Sequence, residues 1–198
     1  MSTANKVKFG LKNVYYAVAT INATTGVATY DTPVAIPGAV NLSLAAQSGA
    51  DPFRADNCDY YTGGTNGGYE GDLELALIPD SFREDVLGEI LDGSGTYVEA
   101  DGVECAPFAL LFEFSGDAHK TRHVLYNCTA TRPDVASQTT ERSGNTPVTE
   151  TLSISTGTVY SSALAKDIVK ARTYADTGST VYEGWFSSVH LPTAVSTT

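Results

Sequence analysis

The chain has 198 residues, 42% of them apolar, and a net charge of −11 from 23 acidic and 12 basic side chains. Thr, Val and Tyr are abundant, while Met and Trp occur once each; this composition suits a pleated, half-buried surface and argues against a helical bundle, a coiled coil or a disordered chain. The acidic balance excludes a protein built to grip nucleic acid, which needs a basic footprint.

Val7, Phe9 and Leu11 alternate with Lys6, Lys8 and Lys12, which predicts a half-buried strand that resumes at Val14–Ile21. The turn Asn22–Gly26 returns it as Val27–Tyr30. Pro33 and Pro37 interrupt the run before a strand with Val40, Leu42 and Leu44 on its apolar side. Pro52–Tyr61 reads as a further strand, Thr62–Gly68 as a flexible tip, and Tyr69–Ile78 as a strand that buries Leu73, Leu75 and Leu77 and turns Asp72 and Glu74 the other way. Ser81–Glu84 has the capping-box pattern. With Phe82, Val86 and Ile90 at i, i+4 and i+8, it predicts a helix over Ser81–Leu91 with Arg83, Glu84 and Glu89 on its solvated face.

Tyr97–Ala100 is a short strand. Phe108, Leu110, Phe112 and Phe114 alternate with Ala109, Leu111, Glu113 and Ser115, and a turn at Gly116-Asp117 leads to a strand over His123–Thr131. The two make a long hairpin in which Glu113 faces away from the buried phenylalanines. Val135–Glu141 and Val148–Ser155 predict another strand pair, Tyr160–Arg172 is mixed, and Gly178–Val189 reads as a helix with Val181, Trp185 and Val189 on one stripe. Eight to ten strands and two short helices without βαβ alternation exclude a doubly wound parallel sheet. The length fits a single domain over residues 1–198, with flexible arms at 1–6 and 193–198.

No motif carries a reaction. A phosphate loop needs a preceding strand, a following helix and usually a Lys; the GGTNGGYEG run Gly63–Gly71 is followed by a strand, has no Lys, and carries Glu70 with Asp72 just beyond it. His119 and His123 would stand about 13 Å apart along a strand, too far to share a metal. Residues 51–117 hold 16 acids against Arg54 and Arg83. Such a surplus offers carboxylate pairs for glycoside cleavage, as any acidic protein does. Tyr60, Tyr61, Tyr69, Tyr97, Trp185 and Phe186 could stack on sugars, but cross-strand aromatic packing is the simpler reading. Cys58, Cys105 and Cys128 show no CxxC spacing and read as thiols. The longest apolar stretch, Ala106–Phe112, is far shorter than the roughly 20 residues of a membrane span, and MSTANKVKFG has no apolar signal core, so synthesis and retention in the cytoplasm are expected.

Several segments, taken in order, resemble the major tail protein, or tail tube protein, of phages with long non-contractile tails. They are Phe9–Tyr16, Pro33–Val40, Ala55–Tyr61, Gly67–Leu75, Ile78–Phe82, Pro107–Phe112 and Leu125–Cys128, spread over residues 9 to about 155; beyond Tyr160 only Val169–Ala171 and Trp185-Phe186 match. The resemblance implies an antiparallel β-sandwich or partial barrel with one flanking helix, and a structural virion protein rather than an enzyme. It implies hexameric rings that stack into a tube conducting DNA during ejection, with the tape measure, tail terminator and tail-tip proteins as partners. It implies assembly in the host cytoplasm, and no cofactor, metal, membrane contact or active site. On this reading Asp72, Glu74 and Glu113 are candidates for lining the lumen, and Gly63, Gly64, Thr65, Asn66, Gly67 and Gly68 for ring stacking. Six copies would carry about −66 per ring, which repels rather than binds a passing polyanion. The alternatives are a tail-tip or carbohydrate-binding β-sandwich and a glycosidase-like enzyme.

Overall fold

A computed structural model describes residues 9–116, 119–137, 139, 147–174 and 176–194; for 50–55 and 59–65 the backbone alone is described. Strand β1 (Leu11–Ile21) turns at Asn22, whose side-chain oxygen accepts from the Thr24 and Thr25 amides, into β2 (Ala28–Tyr30). β3 (Val34–Ala35) returns to β1. β4 (Ala39–Ala55) and β5 (Cys58–Leu75) form one long hairpin, followed by α1 (Asp80–Asp85) and the small hairpin β6 (Ile90–Leu91) and β7 (Tyr97–Val98). Next come β8 (Phe108–Phe114), β9 (Arg122–Ala130), β10 (Glu150–Gly157), β11 (Val159–Ser161), β12 (Lys166–Ile168) and β13 (Lys170–Arg172). The chain ends with α2 (Ser179–Glu183) and a 3-10 turn at Gly184–Phe186.

The protein is mainly β. The principal sheet runs β2-β1-β8-β9-β10-β5-β4, every neighbouring pair antiparallel, with β3 added beside β1 and β13 beside β9. One of its faces gathers Val14 and Tyr16 of β1, Phe108, Leu110 and Phe112 of β8, Leu125 and Cys128 of β9, Leu152 and Ile154 of β10, and Leu73 and Leu75 of β5 into a single cluster. Leu42 and Leu44 of β4 pack against it. A sheet that brings all these strands to one cluster must curl round it, and β1 and β4 approach each other accordingly.

The flanking helix closes that cluster. The Phe82 ring meets Tyr16 edge-on at 5.0 Å and Phe108 at 5.3 Å. The Tyr16 hydroxyl donates to Asp85 at 2.7 Å, and burial, reinforced by that carboxylate, pushes its pKa up to about 12. The opposite face is apolar chiefly on β1, β8 and β9, where Ala17, Ala109, Leu111, Val124 and Tyr126 cluster with Val159 and Trp185. β8 is therefore buried on both sides, as its sequence FALLFEF allows.

The β8–β9 hairpin forms as its alternation predicts. Other elements differ from expectation. The helix is shorter than Ser81–Leu91 because the chain turns at Gly88, φ +76, where a Cβ would lie 2.4 Å from Val103 Cγ1. Ile90 consequently leaves the helical stripe and is exposed in β6. Arg83 and Glu89 are not a free solvated face, since Arg83 binds Glu89 at 3.2 Å and Glu150 at 2.8 Å. β5 ends at Leu75 and the chain bends, so the period of two is lost: Leu77 is exposed and Ile78 buried.

The first strand begins at Leu11, with Phe9 exposed; Val7 lies outside the described residues. Residues 135–137 are not strand, and most of the remainder of Val135–Glu141 falls outside the described residues, as do arms 1–6 and all but Thr193 and Ala194 of arm 193–198. The helix expected over Gly178–Val189 breaks into α2 and the 3-10 turn, with Trp185 buried and Val181 exposed.

Candidate assembly surfaces

Three features of the body bear on function: an arm, an open sheet edge and an acidic face. The arm is the outer part of the β4–β5 hairpin. Pairing between β5 and β10 stops at Glu70 opposite Ser155, whereas β4 and β5 continue together from Ala46 and Tyr69 to Ala55 and Cys58. At about 3.3 Å per residue the arm reaches some 30 Å beyond that point. Its turn is Asp56-Asn57, with φ of 50° and 63°. Two consecutive left-handed residues make the mirror-image turn that matches strand twist, and Asp and Asn tolerate it better than other non-glycine residues.

The glycine-rich run is thus not a tip. Gly63, Gly64, Thr65 and Asn66 lie inside β5, opposite Asp51, Ala50, Gly49 and Ser48. The register shifts between Ala46 and Ser48, so Gly67 and Gly68 together oppose Gln47 as a bulge. Gly68 has φ +88, and a Cβ there would stand 2.1 Å from the Thr156 carbonyl oxygen. The Tyr69 amide donates to Thr156 Oγ1 at 2.7 Å. Glycine is required where the arm leaves the sheet, because the backbone bends and passes close to β10.

The open edge is β4 itself. β5 pairs with one side of it, and no strand pairs with the other among the described residues. A long exposed edge is a template for another chain unless something covers it.

The acidic face is the half of the sheet that the second cluster does not cover. Cross-strand rows place Asn41, Glu74 and Thr151 side by side, then Ser43, Asp72 and Ser153, then Ala45, Glu70 and Ser155. These three rows contain carboxylates and hydroxyls but no basic side chain. Asp72 accepts from the Ser153 hydroxyl at 2.8 Å and Glu74 from the Thr149 hydroxyl at 2.7 Å. Asp72 is exposed and Glu74 half-buried.

Glu113 does not join them, which corrects its expected exposure. It faces away from the phenylalanines, but the C-terminal segment covers that half of the sheet, leaving it 6% exposed. Its carboxylate binds Arg122 Nε at 3.2 Å and accepts from Asn13 at 2.6 Å. Arg122 also donates to the Tyr182 carbonyl and lies over the Tyr182 and Phe186 rings at 3.9 and 4.9 Å. This network, which no local pattern announces, ties α2 and the 3-10 turn to the sheet.

The side chains of Tyr60 and Tyr61 lie outside the described residues, and the other aromatic candidates for sugar stacking do not converge. Trp185 is buried against His190 at 5.3 Å, Phe186 stacks on Tyr15 at 5.0 Å, and Tyr97 is exposed on β7. His123 stacks on Phe112 at 5.0 Å. Among the described residues no group of three or more His, Cys, Asp or Glu is placed to hold a metal, and no helix is long and apolar enough to cross a membrane. Cys58, Cys105 and Cys128 form no disulfide; burial pushes the Cys128 thiol pKa far up, the opposite of an activated nucleophile. Compared with known proteins, the chain matches no protein-family model and no curated sequence.

Proposed function

We propose that this chain is a structural subunit of a phage tail tube, in which copies form rings that stack around a DNA channel. The observation that carries the reading is that, among the described residues, β5 is the only strand paired with β4 (Ala39–Ala55), beside an arm formed by these two strands alone. A solitary subunit of this shape presents a long hydrogen-bonding edge to solvent. Closure against further copies removes that edge, and head-to-tail contacts of this kind give rings when the rotation closes.

The acidic face supports the same reading. A channel wall must let a polyanion pass without holding it, and the rows around Asp72 and Glu74 offer carboxylates and hydroxyls with no cation. Their repulsion would act over about 8 Å at physiological salt, enough to keep DNA off the wall. Asp72 and Glu74 are retained as lumen candidates, and Glu113 is withdrawn because it is buried. In place of a loop that stacks rings, the glycine run becomes the bend that aims the arm.

Sedimentation velocity over a concentration series, with negative-stain microscopy of the same samples, tests the proposal. The expected result is rings or tubes of uniform diameter that grow with concentration. A chain that stays monomeric at every concentration would contradict it.

A further inference from the structure

Where the arm leaves the body, the curled sheet opens into a cup of about 200 Å³. Leu42 and Leu44 of β4, Tyr69 of β5, Phe112 and Phe114 of β8 and Leu125 of β9 line it. Phe112 and Leu125 are buried, while Leu42, Leu44, Tyr69 and Phe114 are half-buried. The rim is basic. Lys170 is exposed, with its ammonium 4.3 Å from the Tyr69 ring centroid. Arg172, also exposed, follows two residues along β13 on the same face, paired with His123, which lines the cup as well. Among the described residues no acidic side chain lines the cup. In a chain of net charge −11 this is an uncommon pairing of apolar floor and cationic edge.

We infer that the cup receives the arm tip of another copy of this chain. The inference rests on the self-assembly just proposed, and it names the site. The tip has the complementary chemistry: Asp51–Tyr61 contains Phe53, Tyr60 and Tyr61, and three acids against Arg54 alone. Asp56, at the turn, is exposed. A chain is poorly placed to fill its own cup in this way, because Tyr69 at the arm's base forms the cup wall and the paired strands carry the tip some 30 Å along the hairpin from it. The N-terminal segment is the other occupant within reach, since Phe9 pairs beside Gly116 at the end of β8. Residues 1–8, however, carry Lys6 and Lys8 and no acid, the wrong charge for a rim of Lys170 and Arg172. An arm-to-cup contact joins two different surfaces, so it propagates from copy to copy.

The test uses Cys58, which adjoins the turn and is exposed, as an attachment point in the full chain. Cys105→Ser removes the half-buried thiol, and Cys128 is buried. With a benzophenone maleimide on Cys58, illumination of assembling protein should cross-link the tip to peptides containing residues 42–44, 112–114 or 170–172 of a different copy. Lys170→Glu should raise the concentration for half-maximal assembly about tenfold, and Asp56→Asn should raise it less. In the double variant the defect should be smaller than that of Lys170→Glu alone, because the new repulsion loses its partner.

Tubes whose cross-links map to the N-terminal segment, to another arm or to β6–β7, or strictly additive variants, would overturn the cup and leave the tube standing. Arm-to-cup cross-links in assemblies that are not rings or tubes would keep the cup and overturn the tube. A chain that is monomeric throughout would overturn both.

Discussion

The sheet face turned away from α1 is finished in two ways. Over β1, β8 and β9 it carries Ala17, Ala109, Leu111, Val124 and Tyr126, and Trp185 with the C-terminal segment covers it. Over β10, β5 and β4 it carries Thr151, Ser153, Glu70, Asp72 and Glu74, and nothing among the described residues covers it. A carboxylate costs different amounts in the two halves. Glu113, under cover, has an arginine, an asparagine and a packed aromatic rim around it. Asp72 and Glu74, in the open half, each make do with one hydroxyl. Burial of a charge is tolerated only with partners, whereas an exposed one needs none. The covered half is thus held by its partners, whereas no described residue lies over the open half.

The contrast breaks most visibly if the cover is loosened. Trp185 is 2% exposed, so Trp185→Ala should destabilise the protein by roughly 3–5 kcal/mol in denaturant unfolding. A loss below about 1 kcal/mol would mean that the C-terminal segment is not part of the cooperative unit. Glu113→Gln keeps the shape and an acceptor for Asn13 but leaves Arg122 without its counter-charge. The expected cost is about 1–3 kcal/mol, with faster proteolysis after residue 172.

A smaller effect should come from pH. His190 stacks on Trp185, and burial holds its pKa below the usual 6.5. The folded state therefore favours the neutral ring, and the unfolded chain binds the proton more readily. The stability this gives is present above about pH 6.5 and is lost as pH falls below it. The unfolding midpoint, followed by the emission of the single Trp, should drop slightly between pH 7 and 5, and this drop should shrink in His190→Gln. Smallest of all, Asp72→Asn with Glu74→Gln should move stability by less than about 0.5 kcal/mol, as surface substitutions outside buried networks do. A loss comparable to that of Glu113→Gln would show the two halves to be alike.

Much of this was legible in the sequence where structure is local. The alternation in Phe108–Phe114 and His123–Thr131 specified the central hairpin, and it correctly turned Glu113 away from the phenylalanines. That Glu113 is buried was not legible, because its cover comes from a segment some 70 residues later. The glycine run resembles a loop because four glycines in seven residues are rare inside strands. The true turn, Asp56-Asn57, is hard to see in the sequence because Asn-Gly or Asp-Gly is the more familiar signal for the same backbone. The stripe Phe82, Val86 and Ile90 could not reveal that Gly88 takes a left-handed conformation. The acidic surplus of residues 51–117 was plain, but only the fold separates its open members from its buried one. Strand edges lie beyond any local pattern, since which side of β4 stays unpaired depends on where β5 and β10 go.

On the proposed reading, another copy covers that side of β4. Amide hydrogen exchange across Ala39–Ala55, compared between dilute and assembled protein, tests it most directly. In the dilute chain the β4 amides that do not bond to β5 should exchange quickly, and assembly should slow them by at least about tenfold while the buried β8 amides hardly change. Unchanged exchange along β4 in samples that sediment as large particles would contradict the claim, because assembly would then leave the edge as open as it is in the single chain.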